Sequence, residues 1–203
     1  MSRAQETRER ILEAAEAMSL QKGFAAMSLN ELVKETQLTK GAFFHHFQGK
    51  GELARVLVER FAQRDIALFA EFVKKAQDLA DNPLQAVSIF LKLFEEFMQD
   101  PQAAPDGCVF ASFLYERDQF ETAVTEAVRR GLVDWTAIHV PLFQALVDYK
   151  APRLPVTAEE LAEMFGVIIE GSFVYGRAYG DRTCVARQTR QFRQYLRLLF
   201  EED

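Results

Sequence analysis

Thr39-Lys40-Gly41-Ala42-Phe43-Phe44-His45-His46-Phe47 is the stretch on which the fold turns, and Ser28-Leu29-Asn30-Glu31 upstream sets its frame. Ser28 and Glu31 have capping-box spacing: the serine oxygen takes the amide of the third helical residue, and the glutamate reaches back to the cap amide. Leu32 and Val33 then give this short helix an apolar side. Thr36-Gln37-Leu38 forms a three-residue turn, and Thr39 is placed to cap the next helix. That helix is short, carries Lys40, His45 and His46 among aromatic residues, and has glycine at its second position. Glycine inside a helix costs roughly 1 kcal/mol against alanine, so it needs a reason, and close approach of another backbone is one. The pattern predicts a helix-turn-helix whose second helix sets its first turn against base edges while cations and amides meet phosphates. An ordinary capped helical hairpin is the competing reading, since capping boxes are common.

From about Thr7 to Leu53 the chain resembles the amino-terminal domain of TetR-family transcriptional repressors. The similar pieces are Arg10-Ile11-Leu12-Glu13-Ala14-Ala15 in a first helix, Lys22-Gly23-Phe24 closing it, Ser28 at a cap, Lys40 to Phe47 as recognition helix, and Lys50 opening a fourth helix. These cover about a quarter of the chain; the remainder matches only in length and helical character. Ser28, Thr39, Lys40, Gly41, Ala42, Phe44, His45 and Lys50 are the candidate DNA contacts. At a helix start, the Lys50 charge adds to unpaired amides to favour a phosphate; a merely solvated lysine is the alternative. Three residues depart from the family's habit. Gln37 stands where glycine is usual, and a positive φ there would cost about 1 kcal/mol. Ala42 replaces a threonine and offers only a methyl group, suited to a thymine methyl. Phe44 replaces a tyrosine, which removes a hydroxyl-to-phosphate bond. The binding mode is expected to persist with an operator that cannot be borrowed from relatives.

The 203 residues are 49% hydrophobic with 18 phenylalanines, enough for a large aromatic core. No run reaches the ~18 apolar residues of a membrane span, and the start passes directly into a charged helix, so a cytosolic protein without membrane attachment is expected. The net charge is −6, unevenly placed: residues 1–50 balance at +1 and residues 51–203 at −7. Local charge matters more than the total when screening acts over ~8–10 Å, so the acidity argues against a nonspecific DNA coater rather than against an operator reader. Cys108 and Cys184 are the only cysteines. They make no CxxC, so neither a structural zinc site nor a cytosolic disulfide is expected.

Helical periodicity with sparse Gly/Pro punctuation predicts an all-α chain, with helices near 5–22, 28–35, 39–45, 50–79, 83–99, 107–115, 119–149, 157–179 and 183–201. The division expected is a three-helix DNA-binding domain at 1–49 and a larger helical ligand-binding and dimerisation domain at 50–203. Pro141 inside a helical pattern predicts a kink near His139. Leu161 to Tyr179 is apolar on almost every side, so one side is expected to face a second subunit. Leu161, Phe165, Ile168, Phe192 and Leu196 are the residues expected at that interface. Two helices from each subunit would then form a four-helix contact, as the resemblance also implies.

Nothing assembles into an enzyme: there is no Gly-rich phosphate loop, no Ser/His/Asp set and no metal spacing. No cofactor is implied. Glu95-Glu96 reads as a solvated helix face. The candidate ligand contacts are Cys108, Phe110, Ser112, Trp135, His139, Glu170 and Phe173. His139 has an interior, hydrogen-bonded reading beside the functional one. Glu170 interrupts an apolar helix, and a buried carboxylate needs either a structural partner or a ligand. A thiol at a helix amino end is inclined toward thiolate, and some members of the family with a Gly-Cys helix start sense electrophiles, although a small packed hydrophobe is the plainer role for Cys108. The expected function is a homodimeric repressor on a near-palindromic double-stranded operator, released by a small, largely apolar effector. A helical small-molecule binder whose head no longer reads DNA is the alternative.

Overall fold

The computed structural model describes residues 2–200, which are largely helical with no strand among them. The helices are α1 (Arg3–Lys22), α2 (Leu29–Glu35), α3 (Lys40–His46), α4 (Lys50–Leu79), α5 (Pro83–Gln99), α6 (Val109–Tyr115), α7 (Thr122–Tyr149), α8 (Ala158–Tyr179) and α9 (Cys184–Phe200). A 3-10 turn at Arg117–Gln119 precedes α7. The all-α expectation holds and the nine helices fall in the expected order. Three starts differ by two residues or more: α1 begins at Arg3 rather than 5, α6 at Val109 rather than 107, and α7 at Thr122 rather than 119, where the 3-10 turn ends. Residue 201, where the last helix was expected to end, lies outside the described residues, as does the end of the expected second domain. Among the described residues, no helix is long and apolar enough to cross a membrane.

The chain forms two compact units, and their bounds differ from 1–49 and 50–203. The first comprises 1–64 together with 108–132; the second comprises 65–107 together with 133–203. Helices α4 and α7 therefore each contribute to both, and α6 belongs with the amino-terminal helices.

In the first unit Ile11, Leu12, Phe24, Leu32, Phe43, Phe47, Leu57 and Phe113 share one core. Its aromatic centre joins distant parts of the chain: the Phe24 and Phe113 rings lie 4.9 Å apart, and Phe113 and Phe120 lie 4.9 Å apart. Phe61 meets Phe110 edge-on at 5.0 Å. A Cβ on Gly131 would come within 2.5 Å of the Phe110 ring, so only glycine lets α7 pass there. Arg60 ties α4 to α1 through Glu9 and Glu16, at 2.9 and 3.0 Å.

In the second unit α9 packs against both α5 and α8. Phe90, Phe94, Phe143, Phe165 and Phe192 fill its core. Glu95 of α5, only 2% exposed, accepts from Arg190 Nε at 2.9 Å and Arg193 at 3.1 Å. Burial alone would raise the Glu95 pKa, but the Arg190 hydrogen bond and the charges of Lys92, Arg190 and Arg193 outweigh it and hold the carboxylate ionised. The solvated face expected at Glu95-Glu96 is thus true of Glu96 alone.

Candidate nucleic-acid interface

The capping box of α2 is formed as its spacing predicts. Ser28 Oγ accepts from Glu31 N at 3.2 Å and Glu31 Oε2 accepts from Ser28 N at 2.8 Å. Lys22 Nζ donates to the other Glu31 oxygen at 2.8 Å. That bond, with the Ser28 contacts, pulls the Glu31 pKa down to about 2. The end of α2 is a Schellman motif: Leu38 N donates to Val33 O and Gln37 N to Lys34 O. The motif needs a left-handed residue, and Gln37 supplies it with φ 54°, the only positive φ of a non-glycine among the described residues. Thr39 Oγ1 then caps α3 by accepting from Ala42 N at 3.1 Å.

Helix α3 has two sides. Phe43 is buried, with Phe47 beneath the last turn at 5.7 Å and the Arg8 guanidinium over the Phe47 ring. Lys40, Gly41, Phe44 and His45 are exposed on the opposite side, Phe44 to 53%, and Ala42 is half-buried at its edge. His46 is drawn below its ordinary pKa by burial and by the charges of His45 and Arg8.

Lys50 is less free than a phosphate clamp would be. It opens α4 as expected, but its Nζ donates to Ala25 O at 2.7 Å and sits over the Phe24 ring. Burial lowers its pKa, partly offset by Glu116 and Glu31. The Glu116 carboxylate, after α6, accepts from Ala25 N at 2.9 Å. Ala25 is therefore held at its amide and its carbonyl by residues from two distant segments. Gly23 makes room for this: its φ is +86°, and a Cβ there would lie 2.1 Å from Glu116 Oε1. Sequence reading missed Glu116, and no local signal could have revealed a bond spanning that much chain.

Two sequence comparisons bear on these helices. Residues 11–57 match the profile of bacterial regulatory proteins of the tetR family, and residues 83–192 match that of the tetracyclin repressor-like carboxy-terminal domain. The chain belongs to the TetR family. It is a transcriptional regulator with an amino-terminal helix-turn-helix DNA-binding domain, not an enzyme. It is 40% identical over 55 residues to the transcriptional repressor NemR of Escherichia coli K12, covering 27% of this chain and 28% of NemR. It is 29% identical over 147 residues to the regulator TtgR of Pseudomonas putida, covering 63% and 69%. The match to NemR thus spans little more than a quarter of that relative. In fold, a TetR-family regulator from Agrobacterium tumefaciens superimposes with a TM-score of 0.79 at 21% identity, over 95% of this chain and 98% of that one.

The other expected TetR-family site residues separate. Trp135 and His139 lie together in the second unit, ring centroids 4.3 Å apart, and Phe173 packs on the same core. Glu170 is half-buried on α8. Cys108, Phe110 and Ser112 belong instead to the first unit. Phe110 packs on Phe61, and Ser112 Oγ donates to Ser19 O at 3.1 Å, so both have structural partners there. Cys108 caps α6, but its thiol makes no cap hydrogen bond.

The residues expected at the dimer contact require correction. Leu161, Phe165, Phe192 and Leu196 are buried within the single chain, and Ile168 is partly buried against the same core. They face inward because α5 and α9 cover that side of α8. The apolar residues left uncovered on α8 are Met164, Val167, Val174, Tyr175 and Tyr179, with Val167 71% exposed; Leu198 is exposed on α9.

Proposed function

We propose that this regulator is a repressor that holds a near-palindromic operator as a homodimer in the cytoplasm and lets go when a small, largely apolar effector enters the second unit. Gly41 is the observation that carries the DNA reading. It lies exposed in α3 without a positive φ, and a Cβ on it would meet nothing nearer than Thr39 Oγ1 at 3.9 Å. Nothing among the described residues requires glycine there, yet helical glycine is destabilising. Close approach of a DNA backbone supplies the missing reason. Lys40, Ala42, Phe44 and His45 then surround the contact, with Ser28 and Thr39 at the flanking caps. Lys50 adds whichever ammonium donors Ala25 leaves over.

The uncovered residues of α8 support the homodimer. Met164, Val167, Gly171, Val174 and Ala178 recur at helical spacing, and a second copy of the same face is self-complementary. Two heads so joined would occupy successive major grooves ~34–36 Å apart. An effector releases DNA only through its differential affinity for the two dimer states.

Gly41→Ala is the test. The variant is expected to be more stable by about 0.5–1 kcal/mol and to bind a duplex selected from a random library at least tenfold more weakly. Greater stability with unchanged affinity would remove Gly41 from the contact and the reading with it.

A further inference from the structure

We propose that Nε2 of His139 is the polar anchor of the effector site and that the effector is a neutral, apolar molecule bearing one hydroxyl, of the alkylphenol or aryl alcohol class. The inference rests on the effector reading above and names the chemistry that reading leaves open.

His139 is 0% exposed. Its Nδ1 lies 2.7 Å from Trp135 O. A carbonyl only accepts, so Nδ1 carries the ring proton and Nε2 is left with a bare lone pair. Among the described residues, no side chain or backbone group makes a hydrogen bond to that Nε2. A buried acceptor without a donor costs free energy that the fold does not recover on its own.

Around the imidazole stand four rings: Trp135 at 4.3 Å, Phe69 at 4.9 Å, Phe165 at 5.3 Å and Phe90 at 5.5 Å. These surfaces suit an aromatic or alkyl body and offer no charge. A carboxylate would find a neutral acceptor and be repelled; a primary ammonium would bury three donors against one acceptor, Nε2, with only ring faces to meet the others. A hydroxyl fits both requirements, since it donates one hydrogen bond and carries no charge. The rings are in contact, so a ligand enters by turning one aside. Pro141 eases this locally because it has no amide for the Ala137 carbonyl one turn before it.

Trp135 is the sole tryptophan of the 203 residues, so its emission in the unmodified chain reports the cage directly. Titration with 4-ethylphenol and with 4-ethyltoluene, in which methyl replaces hydroxyl, compares the two ligands. The phenol is expected to bind about tenfold more tightly, the worth of one buried hydrogen bond. In His139→Leu that preference is expected to vanish while the hydrocarbon still binds. A second measurement does not depend on the variant folding: with ¹⁵N-histidine labelling, the Nε2 resonance of His139 is expected to move from bare to hydrogen-bonded on adding phenol. Equal affinities, absence of binding, or an Nε2 already hydrogen-bonded before addition, as a buried water would make it, each overturn the proposal. Operator release is scored separately. Selective phenol binding without release leaves the anchor standing and overturns only the effector reading.

Discussion

His139 gives the second unit a defined acid sensitivity. Burial holds its pKa near 4 against an ordinary 6.5, with the Trp135 carbonyl pulling the other way. Between those values the unfolded chain binds a proton that the folded chain refuses. The group's contribution is therefore complete above about pH 6.5 and is lost as the pH falls toward 4, an effect of about 3 kcal/mol. Urea unfolding at about pH 7 and about pH 4 is expected to show a larger loss for wild type than for His139→Leu, by roughly 2–3 kcal/mol. Equal losses would mean that the imidazole titrates normally. At this scale the sequence was legible where bonds are local. Ser28, Glu31 and Thr39 announce their caps by spacing, and Gln37 occupies the one turn position that demands a left-handed backbone. The tie from Lys50 to Ala25 and the grip of Glu116 were not legible, because their partners meet only in the folded chain.

Among the elements, α5 and α9 are joined by charge as well as by apolar packing. Glu95 faces two arginines from within a buried surface, whereas neighbouring Glu96 is exposed. Glu95→Gln keeps the shape and removes the charge, and should cost about 1–3 kcal/mol. Glu96→Gln should change stability by less than about 0.5 kcal/mol. Thermal unfolding of the two variants checks the contrast, and equal effects would place the clamp elsewhere. Adjacent carboxylates on a helix point about 100° apart, so the sequence could not tell which would be covered. The same difficulty explains why residues expected at a dimer contact are buried within the single chain. A helix apolar on every side carries no phase, and Leu161 and Val167 look equivalent until α5 and α9 are in place. Helix order was legible because amphipathic period and caps repeat along the chain. The start of α6 was not, since Gly107 and Cys108 offer no side-chain cap.

For the whole molecule, the exposed face of α8 and the buried face of α9 predict opposite phenotypes. Val167→Asp should leave helicity and melting temperature close to wild type while producing monomers in light scattering, with weaker operator binding because two half-sites are no longer held together. Phe192→Asp should instead unfold the second unit, since a charge would be forced into the core at a cost above about 4 kcal/mol. A dimeric Val167→Asp protein would move the interface to another surface.

The grip of Glu116 on Ala25, with Phe113 and Phe120 packed beside Phe24, sets a timetable for synthesis. The residues that read as a complete three-helix module leave the ribosome before the stretch 108–132, which supplies part of their core. The head must wait, partly open, through the translation of more than forty intervening residues. A polypeptide ending at residue 64 should accordingly unfold without a cooperative transition in calorimetry, and the addition of 108–132 through a short linker should restore one. Fusions that borrow only the first fifty residues as a portable DNA reader would inherit an unfinished core.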